Sequence, residues 1–194
     1  MNQEIEIEFK NMLTGEEFER IKQYFKLQSE DFIAQENHYL DTMDFLLKAK
    51  NAALRIRKKQ GVYTLTLKQP LEKGLLESHQ LISEQQALAL FNGSSLSTIK
   101  GEINTLISTM GIEPNDIVYL GSLRTQRAEI KLGDHLLVLD HSFYFNKEDF
   151  ELEFEVKDYD IGKKEFINLL QKYNIPLRDT RNKIVRFFME KENQ

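Results

Sequence analysis

Two short segments, one near each end of the chain, carry a glutamate at every second position. The residues are Glu4, Glu6, Glu8, Glu151, Glu153 and Glu155. In an extended strand such side chains share one face and lie about 6.6 Å apart. If that face is enclosed, repulsion at an effective dielectric of about 20 costs roughly 2–3 kcal/mol for each neighbouring pair. A hard divalent cation with oxygen ligands, Mg²⁺ or Mn²⁺, would offset this repulsion.

Basic side chains repeat in the same way in the middle of the chain. Arg55 and Arg57 alternate with apolar residues, and Lys68 shares its strand face with Thr64 and Thr66. Guanidinium groups bind phosphate through paired hydrogen bonds, and lysine acts as a point charge. An extended polyanion would therefore match this basic row.

These charged faces have two possible environments. Each face is bathed in solvent, or the sheet curls and the charges line a lumen. For a single strand the solvated face is the commoner case. Acidic residues, however, concentrate on strands near the chain ends and basic residues on the middle strands. This segregation favours the lumen.

Period-two alternation predicts a set of strands that must position these side chains. They span residues 4–10, 36–42, 52–59, 62–69, 75–82, 120–132, 135–144 and 150–157. A short turn at Gln60 and Gly61 joins two neighbouring strands of the set, which is typical of an antiparallel meander.

Helical periodicity predicts elements on the apolar side of the sheet. Thr14 and Glu17 form a capping-box pattern at the start of an amphipathic helix that ends near Lys26. Further helices are predicted as a pair within 83–111, separated by a turn at Asn92–Ser95, and near Lys163–Tyr173 and Thr180–Glu192. We interpret 1–194 as a single domain with a helical insertion at about 83–113.

Composition excludes several function classes. The formal net charge of -5 argues against a broad nucleic-acid surface. The absence of cysteine excludes disulfides, thiolate metal sites and cysteine nucleophiles. There is no signal-peptide pattern and no apolar stretch of about 20 residues. We therefore expect a soluble cytoplasmic protein, monomeric or homodimeric, without nucleic-acid or membrane partners.

The run Glu6-Ile7-Glu8-Phe9-Lys10 matches the E-x-E-x-K signature of the CYTH superfamily, also called triphosphate tunnel metalloenzymes. Further matches follow in chain order at Tyr39-Leu40-Asp41-Thr42, Leu54-Arg55-Ile56-Arg57, Leu65-Thr66-Leu67-Lys68, Glu77, Arg127, Asp140, Glu151-Leu152-Glu153 and Lys183. The chain thus resembles this superfamily over nearly its whole length. It is most similar to the small bacterial members of the YjbK type.

The resemblance implies an α+β fold, in which an eight-stranded antiparallel β-barrel forms a tunnel with helices packed outside. Members of the superfamily hydrolyse inorganic triphosphate or thiamine triphosphate, or cyclise ATP as class IV adenylate cyclases. Carried over to this chain, the metal ligands for one or two Mg²⁺ or Mn²⁺ ions would be Glu6, Glu8, Asp140, Glu151 and Glu153. The phosphate-binding residues would be Lys10, Arg55, Arg57, Lys68, Arg127 and Lys183.

Two of these assignments stay open in the sequence. Glu151, Glu153 and Glu155 share one face, so any two of them could be the ligand pair of the family, and Glu155 is therefore kept as a metal candidate. Arg124 and Arg127 fall on opposite faces of a regular strand. We favour Arg127, because it lies two residues from Glu129 and therefore shares its strand face.

The chemistry implied is in-line attack of water on a terminal phosphorus, accelerated by positioning and charge neutralisation. Glu6 and Glu8 would act through the metal. Lys10 is either a general base with a lowered pKa or the partner of a neighbouring glutamate in a structural ion pair.

Three function classes remain: a triphosphatase, an adenylate cyclase and a non-catalytic sensor of polyphosphate or nucleotide. The Walker A and G-x-G-x-x-G patterns of common nucleotide-binding proteins do not occur. The four histidines, His38, His79, His135 and His141, lack a paired metal-ligand spacing, so we expect them to fill strands or the surface. Among the three classes we favour the triphosphatase, because the recognisable residues address phosphate and metal.

Overall fold

The computed structural model describes residues 2–192, so the first and the last two residues of the predicted domain lie outside the described part. Its strands are β1 (Asn2–Leu13), β2 (Ile33–Thr42), β3 (Ala53–Lys59), β4 (Val62–Pro70), β5 (Leu75–Ile82), β6 (Ile117–Leu132), β7 (His135–Tyr144) and β8 (Lys147–Val156). Its helices are α1 (Gly15–Tyr24), α2 (Leu46–Ala49), α3 (Glu84–Phe91), α4 (Glu102–Thr109), α5 (Tyr159–Lys172) and α6 (Lys183–Glu192). Between residues 2 and 192, no helix is long and apolar enough to cross a bilayer.

The strands form one hydrogen-bonded sheet in the order β1, β5, β4, β3, β2, β6, β7, β8, and the order closes on itself. The fold is thus the predicted eight-stranded antiparallel β-barrel with helices outside. Closure matters because an open sheet exposes unpaired backbone groups at its edges.

The chain forms two compact units. The first unit comprises the chain up to Ile5 together with Gln35–Ser122. The second unit comprises Glu6–Ala34 and the chain from Leu123 onward. The prediction of a single domain stays a prediction.

In the first unit, the apolar sides of β3 and β4 pack against α3 and α4. The strand residues are Leu54, Ile56, Leu65 and Leu67, and the helix residues are Ala87, Leu90, Ile103 and Ile107. All of them are buried. Each buried leucine or isoleucine contributes about 1.5–3 kcal/mol relative to an exposed one. This core fixes which strand face carries the arginines, because a slip by one residue would bury them in it.

In the second unit, α5 covers the apolar side of β7 and β8. Phe166 and Leu170 of the helix belong to the same buried cluster as Leu137, Leu152 and Phe154 of the strands. The acidic residues of β8 therefore lie on the opposite face of their strand. The alternation of β8 thus places its apolar side chains under the helix and its carboxylates away from it.

The capping box predicted for α1 is present. Thr14 Oγ1 accepts a hydrogen bond from the Glu17 amide at 3.2 Å, and the Glu17 carboxylate accepts one from the Thr14 amide at 2.8 Å. Arg178 also donates to both carboxylate oxygens of Glu17, at 2.8 and 2.9 Å. Its hydrogen bonds lower the pKa of Glu17 despite burial.

Several helices differ from the prediction, and α1 ends at Tyr24, before the predicted end near Lys26. Helix α5 begins at Tyr159, before the predicted Lys163, because Asp158 caps it by accepting from the Ile161 amide at 2.8 Å. Helix α6 begins at Lys183, after the predicted start at Thr180. The short helix α2 was not predicted. Its first turn is held by Asp41, which accepts from the amides of Leu47 and Lys48 at 2.8 and 3.0 Å.

Gly162 lets α5 approach β8 closely, and this contact generates a prediction. A Cβ at residue 162 would lie 2.5 Å from Val156 Cγ2, closer than packed atoms allow. At an open helix position, glycine to alanine stabilises by about 1 kcal/mol. Gly162→Ala should instead lower the free energy of unfolding by about 1–3 kcal/mol, because overpacking costs more than the helix gains. Urea unfolding measures this difference.

The control is Lys163→Ala, which replaces the exposed neighbour on the same helix. Its free energy of unfolding should stay within about 0.5 kcal/mol of the wild-type value. A more stable Gly162→Ala protein would contradict the close contact between α5 and β8.

Candidate functional site

The first unit carries its predicted basic residues on one strand face. In the antiparallel register, Arg55 lies opposite Tyr39 on one side and Thr66 on the other. Lys68 lies opposite Glu77 of β5. Since the alternate residues of β3 and β4 belong to the core, this face points away from it. We call it the basic face; it consists of Arg55, Arg57, Lys59, Thr64, Thr66 and Lys68.

Arg55 is the residue of the basic face whose hydrogen bonding is incomplete. Its side chain is 16% exposed, and its terminal nitrogen lies 3.9 Å from Glu77 Oε2. Its Nε is buried and has no hydrogen-bond partner. Buried donors without partners are rare in folded proteins, because losing water without a replacement is costly. An anion placed against this guanidinium would satisfy the donor.

Arg57 and Lys68 are each held by a polar neighbour. Arg57 Nε donates to Asn37 Oδ1 at 2.9 Å, across the β2–β3 pair. Lys68 forms an ion pair with Glu77. No role for Asn37 is predicted from the sequence. Its spacing could have indicated one, because Asn37 lies two residues from Tyr39 and therefore shares its face on the strand that pairs with β3.

A mixed group of nitrogen and oxygen ligands lies beside the basic face. Ligand atoms of Glu4, Glu77 and His79 lie within 4.8 Å of one another, an arrangement that could hold a metal ion. His79 Nε2 lies 3.0 Å from Glu4 and 3.3 Å from Glu77, and Nδ1 lies 3.0 Å from Thr66 Oγ1. We expected His79 only to fill a strand or the surface. The sequence could not show this group, because Glu4 and His79 are 75 residues apart.

The second unit brings together the acidic residues predicted from both chain ends. Across β1 and β8, Glu8 lies opposite Glu155 and Lys10 lies opposite Glu153. Across β7 and β8, Asp140 lies opposite Glu151. We call this the acidic face; it consists of Glu6, Glu8, Lys10, Arg127, Asp140, Glu151, Glu153 and Glu155.

Lys10 pairs with a glutamate of its own strand. Its Nζ lies 2.5 Å from Glu8 Oε1. Burial lowers the pKa of Lys10, but the charges of Glu8 and Glu153 outweigh burial and leave the pKa raised. A general base needs the opposite shift. The contact and the raised pKa both favour the ion pair with Glu8 over the general base.

Arg127 and Lys183 bind the central carboxylates of the acidic face. Arg127 donates to both oxygens of Asp140, at 2.8 and 2.6 Å, and to Glu153 at 2.6 Å. Lys183 reaches Asp140, Glu151 and Glu153 at 2.8, 3.0 and 2.5 Å. Arg124, by contrast, is exposed, as expected for the opposite strand face.

These cations keep two buried carboxylates ionised. Burial alone would raise the pKa of Glu153, but Arg127 and Lys183 hold it well below its usual range. The same two cations outweigh burial at Asp140 and lower its pKa. Both residues therefore present charged oxygens over the whole neutral pH range.

Arg186 is a member of this network that the sequence analysis missed. It lies three residues after Lys183 on α6, and therefore on the same side of the helix. Its guanidinium binds Asp149 at 2.9 Å and Glu151 at 2.5 Å. The spacing of Lys183 and Arg186 was the available signal, but the sequence did not show which strand faces α6.

Glu151 retains an unsatisfied oxygen, which provides a test of whether the acidic face fits a metal ion. Oε2 accepts from Arg186, whereas the buried Oε1 has no hydrogen-bond partner. Burial raises the pKa of Glu151, and Lys183 and Arg186 offset this only in part. A buried carboxylate oxygen without a donor is the atom that a hard cation would bind. The residues of this face therefore fit a divalent metal.

The other end of the acidic face has less positive charge to compensate it. Burial raises the pKa of Glu155 to about 7, and the nearby charges of Glu6, Glu153 and Glu8 add to the shift against an opposing contribution from Arg127. Glu8 and Glu155 lie directly opposite each other, and Lys10 pairs with Glu8 alone, so a cation at Glu155 would reduce the remaining repulsion. A divalent cation at this end of the acidic face would favour the ionised form of Glu155.

The pKa of Glu155 predicts how stability depends on pH. An unfolded glutamate releases its proton near pH 4.3, roughly, whereas folded Glu155 holds it until about pH 7. The folded protein thus binds more protons between these values, and the free energy of unfolding falls as pH rises through the window. Without divalent cations, the Tm should decline between about pH 5 and about pH 8, and Glu155→Gln should reduce that decline.

Thermal unfolding in EDTA across this range measures the effect. Glu72→Gln, at an exposed loop position, is the matched control and should keep the wild-type slope. An unchanged slope in Glu155→Gln would show that Glu155 titrates normally.

Comparison with known proteins agrees with this architecture. The family model described as "CYTH domain" matches residues 4–188. "Putative triphosphatase YjbK" from Bacillus subtilis (strain 168) is 51% identical over 191 residues, which cover 98% of this chain and 98% of that protein. A crystal structure from Bacillus halodurans, named a "putative adenylate cyclase", is 39% identical with a TM-score of 0.91, and the match covers 97% of this chain and 100% of that one.

A more distant structure shares the fold alone. It is a "putative adenylyl cyclase" from Hippeastrum, 21% identical over 96% of each chain, with a TM-score of 0.78. The closed barrel, its segregated acidic and basic faces and the match over residues 4–188 lead to one conclusion. The chain belongs to the CYTH domain family.

Proposed function

We propose that this chain is a metal-dependent triphosphatase, which cleaves the terminal phosphate of inorganic triphosphate or of a small organic triphosphate within its charged barrel. One observation carries the proposal: the buried Nε of Arg55 has no hydrogen-bond partner in a row of cations on the basic face. Such a donor indicates an anion that binds there. The name of the Bacillus subtilis relative, at 51% identity, supports the same activity.

The basic face binds the phosphate groups. Arg55 and Arg57 lie two residues apart on β3, about 6.6 Å along the strand, so they can bind two different phosphates of one chain. Asn37 holds the Arg57 guanidinium in place before substrate arrives. Lys68 adds a point charge. Preorganised cations of this kind bind a polyanion without having to reorient first.

Carboxylates of the acidic face would hold one or two divalent cations, Mg²⁺ or Mn²⁺. The candidate ligands are Glu6, Glu8, Glu155 and Glu151, whose Oε1 lacks a partner. Asp140 and Glu153 are further candidate ligands, and their charged carboxylates already bind Arg127 and Lys183. A bound divalent cation neutralises phosphate oxygens and lowers the pKa of a coordinated water. Arg127 and Lys183 would orient these carboxylates as well as bind phosphate.

In the proposed reaction a water oxygen forms a bond to the terminal phosphorus, in line with the bridging oxygen that leaves. Arg55, Arg57 and Lys68 hold the nonbridging oxygens and neutralise the charge that develops on them. The bond between the terminal phosphorus and the bridging oxygen breaks, and diphosphate or its organic ester departs. The proton of the attacking water passes to solvent or to a carboxylate. Lys10 remains protonated and keeps Glu8 in place.

A second candidate is the cyclisation of ATP to cyclic AMP, because the Bacillus halodurans relative, at 39% identity, is named a "putative adenylate cyclase". The same phosphate and metal groups would serve both reactions. For either activity we propose a cytoplasmic enzyme that acts on small molecules, without nucleic-acid or membrane partners. Its oligomeric state would be monomer or homodimer.

Assays of purified protein separate these candidates. We expect phosphate release from inorganic triphosphate with Mg²⁺ or Mn²⁺, none in EDTA, and no cyclic AMP from ATP. Glu8→Gln should reduce the rate at least about tenfold, since even loss of an outer partner of a metal site costs that much. Excess Mn²⁺ should restore part of it. Glu72→Gln is the control.

Two outcomes would overturn the proposal. Cyclic AMP without phosphate release would favour the cyclase. Stabilisation of the protein by triphosphate, with no turnover in the presence of either metal, would indicate a non-catalytic sensor. Separately, an unchanged metal dependence in Glu8→Gln would show that Glu8 is not part of the site.

Arg55→Ala tests the phosphate-binding role of the basic face. A lost hydrogen bond to a charged group is worth about 1.5–3 kcal/mol, so kcat/KM should fall about 10- to 100-fold. The salt dependence of KM should also weaken, because one cation fewer attracts the polyanion. Arg124→Ala removes an exposed arginine and should leave both quantities at wild-type values. Equal effects of the two substitutions would show that Arg55 does not contact substrate.

A further inference from the structure

Three side chains from two strands converge on one point beside the basic face. Glu4 belongs to β1, whereas Glu77 and His79 belong to β5. A carboxylate oxygen of each glutamate and a ring nitrogen of the histidine lie within 4.8 Å of one another. All three residues belong to the first unit, so the group is built within one compact part of the fold.

The distances within this group are close to those around a small metal ion. His79 Nε2 lies 3.0 Å from Glu4 Oε1 and 3.3 Å from Glu77 Oε2. Zinc binds imidazole nitrogen and carboxylate oxygen at about 2.0–2.2 Å, so two ligand atoms at a tetrahedral angle lie about 3.4 Å apart. Hydrogen bonding explains the convergence less completely, because Nε2 carries at most one hydrogen and two oxygens approach it.

The imidazole ring is held in place by a threonine of the neighbouring strand. His79 lies opposite Thr66 in the β4–β5 register, and its Nδ1 lies 3.0 Å from Thr66 Oγ1. Thr66 is buried. A hydroxyl oxygen can accept the hydrogen of Nδ1, which leaves the lone pair of Nε2 available to a metal. Histidine ligands of metals commonly donate their other N–H in this way, and the bond fixes the ring orientation.

The two carboxylates approach the histidine from different environments. Glu77 is buried, and its Oε1 pairs with Lys68, so Oε2 is the oxygen that faces His79. Glu4, by contrast, has a side chain that is 61% exposed, and the His79 ring is 20% exposed. The group is therefore fixed on its inner side and accessible to an ion from solvent.

The donor atoms indicate which class of metal this group would bind. Imidazole nitrogen suits zinc and the later transition metals, whereas magnesium prefers oxygen ligands alone. Two carboxylates balance the charge of a divalent cation when the imidazole is neutral. Three protein ligands also leave a fourth tetrahedral position open for water or an anion. The carboxylates of the acidic face offer oxygen only, so the two places should differ in metal preference.

We propose that Glu4, Glu77 and His79 form a binding site for Zn²⁺, separate from the Mg²⁺ or Mn²⁺ site proposed on the acidic face. Glu4 and His79 lie outside the sequence runs that carry the resemblance to the CYTH superfamily, so the resemblance assigns them no such role. The site does not depend on the proposed reaction, because its evidence is the convergence of three side chains in the first unit.

Calorimetric titration of the metal-free full-length protein with Zn²⁺, in excess Mg²⁺, tests the proposal. We expect a Zn²⁺ site whose affinity falls at least about tenfold in Glu4→Gln and in His79→Gln, since even loss of an outer partner of a metal site costs that much. Both variants should keep the wild-type affinity for Mg²⁺, measured without Zn²⁺. Glu8→Gln should show the reverse pattern, with weaker Mg²⁺ binding and an unchanged His79-dependent Zn²⁺ site.

Glu148→Gln is the matched control for Glu4→Gln. The Glu148 side chain is 58% exposed and lies 2.8 Å from His141 Nε2, much as Glu4 lies beside His79. Within residues 2–192, however, this pair belongs to no group of three side chains that could hold a metal. Its replacement should leave Zn²⁺ affinity at the wild-type value. Because Glu4 is exposed, Glu4→Gln should fold normally and decides the test if His79→Gln does not.

Three results would overturn the proposal. They are the absence of Zn²⁺ binding by wild type, equal Zn²⁺ affinity in wild type and Glu4→Gln, and an equal loss in Glu148→Gln and Glu4→Gln. The histidine would then only pair with its neighbouring glutamates. Failure of the proposed function is distinguishable, because the titration involves no substrate. A protein that hydrolyses no triphosphate but loses Zn²⁺ binding in Glu4→Gln would retain the zinc site and reject the reaction alone.

Discussion

The cost of burying charge on one face of each strand governs this structure. An ion moved from water into a protein interior loses several kcal/mol of solvation unless another charge and hydrogen bonds replace it. Asp140 and Glu151 are fully buried, and Glu153 nearly so. Lys183 offsets this cost by contacting all three. Since Lys183 belongs to α6, the acidic face depends on a helix that follows the last strand of the barrel in sequence.

Both units bury charged side chains, but the atom that is left without a hydrogen-bond partner is a donor in one unit and an acceptor in the other. On the basic face, Glu77 pairs with Lys68 and lies near Arg55, yet a donor of Arg55 stays unsatisfied. On the acidic face, Arg186 and Lys183 bind Glu151, yet one of its oxygens stays unsatisfied. A donor without an acceptor suits an anion, and an acceptor without a donor suits a cation. A phosphate ester and its divalent metal are such a pair of ligands.

Local alternation made the strands and their faces predictable, because the apolar half of each strand could only face the helices. Thr14 and Glu17 marked the start of α1 for a similar reason, since a capping box is a local hydrogen-bond pattern. The contacts between distant segments were not predictable. Arg186 with Asp149, and Glu4 with His79, join residues far apart in sequence. The contact of Asn37 with Arg57 depends on which residue of β3 it opposes, and only the register shows this.

Stability and function make opposite demands on these faces. Folding alone favours complete pairing, since each unsatisfied buried group costs about 1–3 kcal/mol. The buried apolar clusters under α3, α4 and α5 stabilise the fold and offset the cost of such groups. The proposed substrate and metal would then gain what folding gave up, because the donor of Arg55 and the oxygen of Glu151 have no hydrogen-bond partner among the described residues. Under the proposed function, the polar atoms that these side chains leave without partners are the ones that substrate and metal would bind.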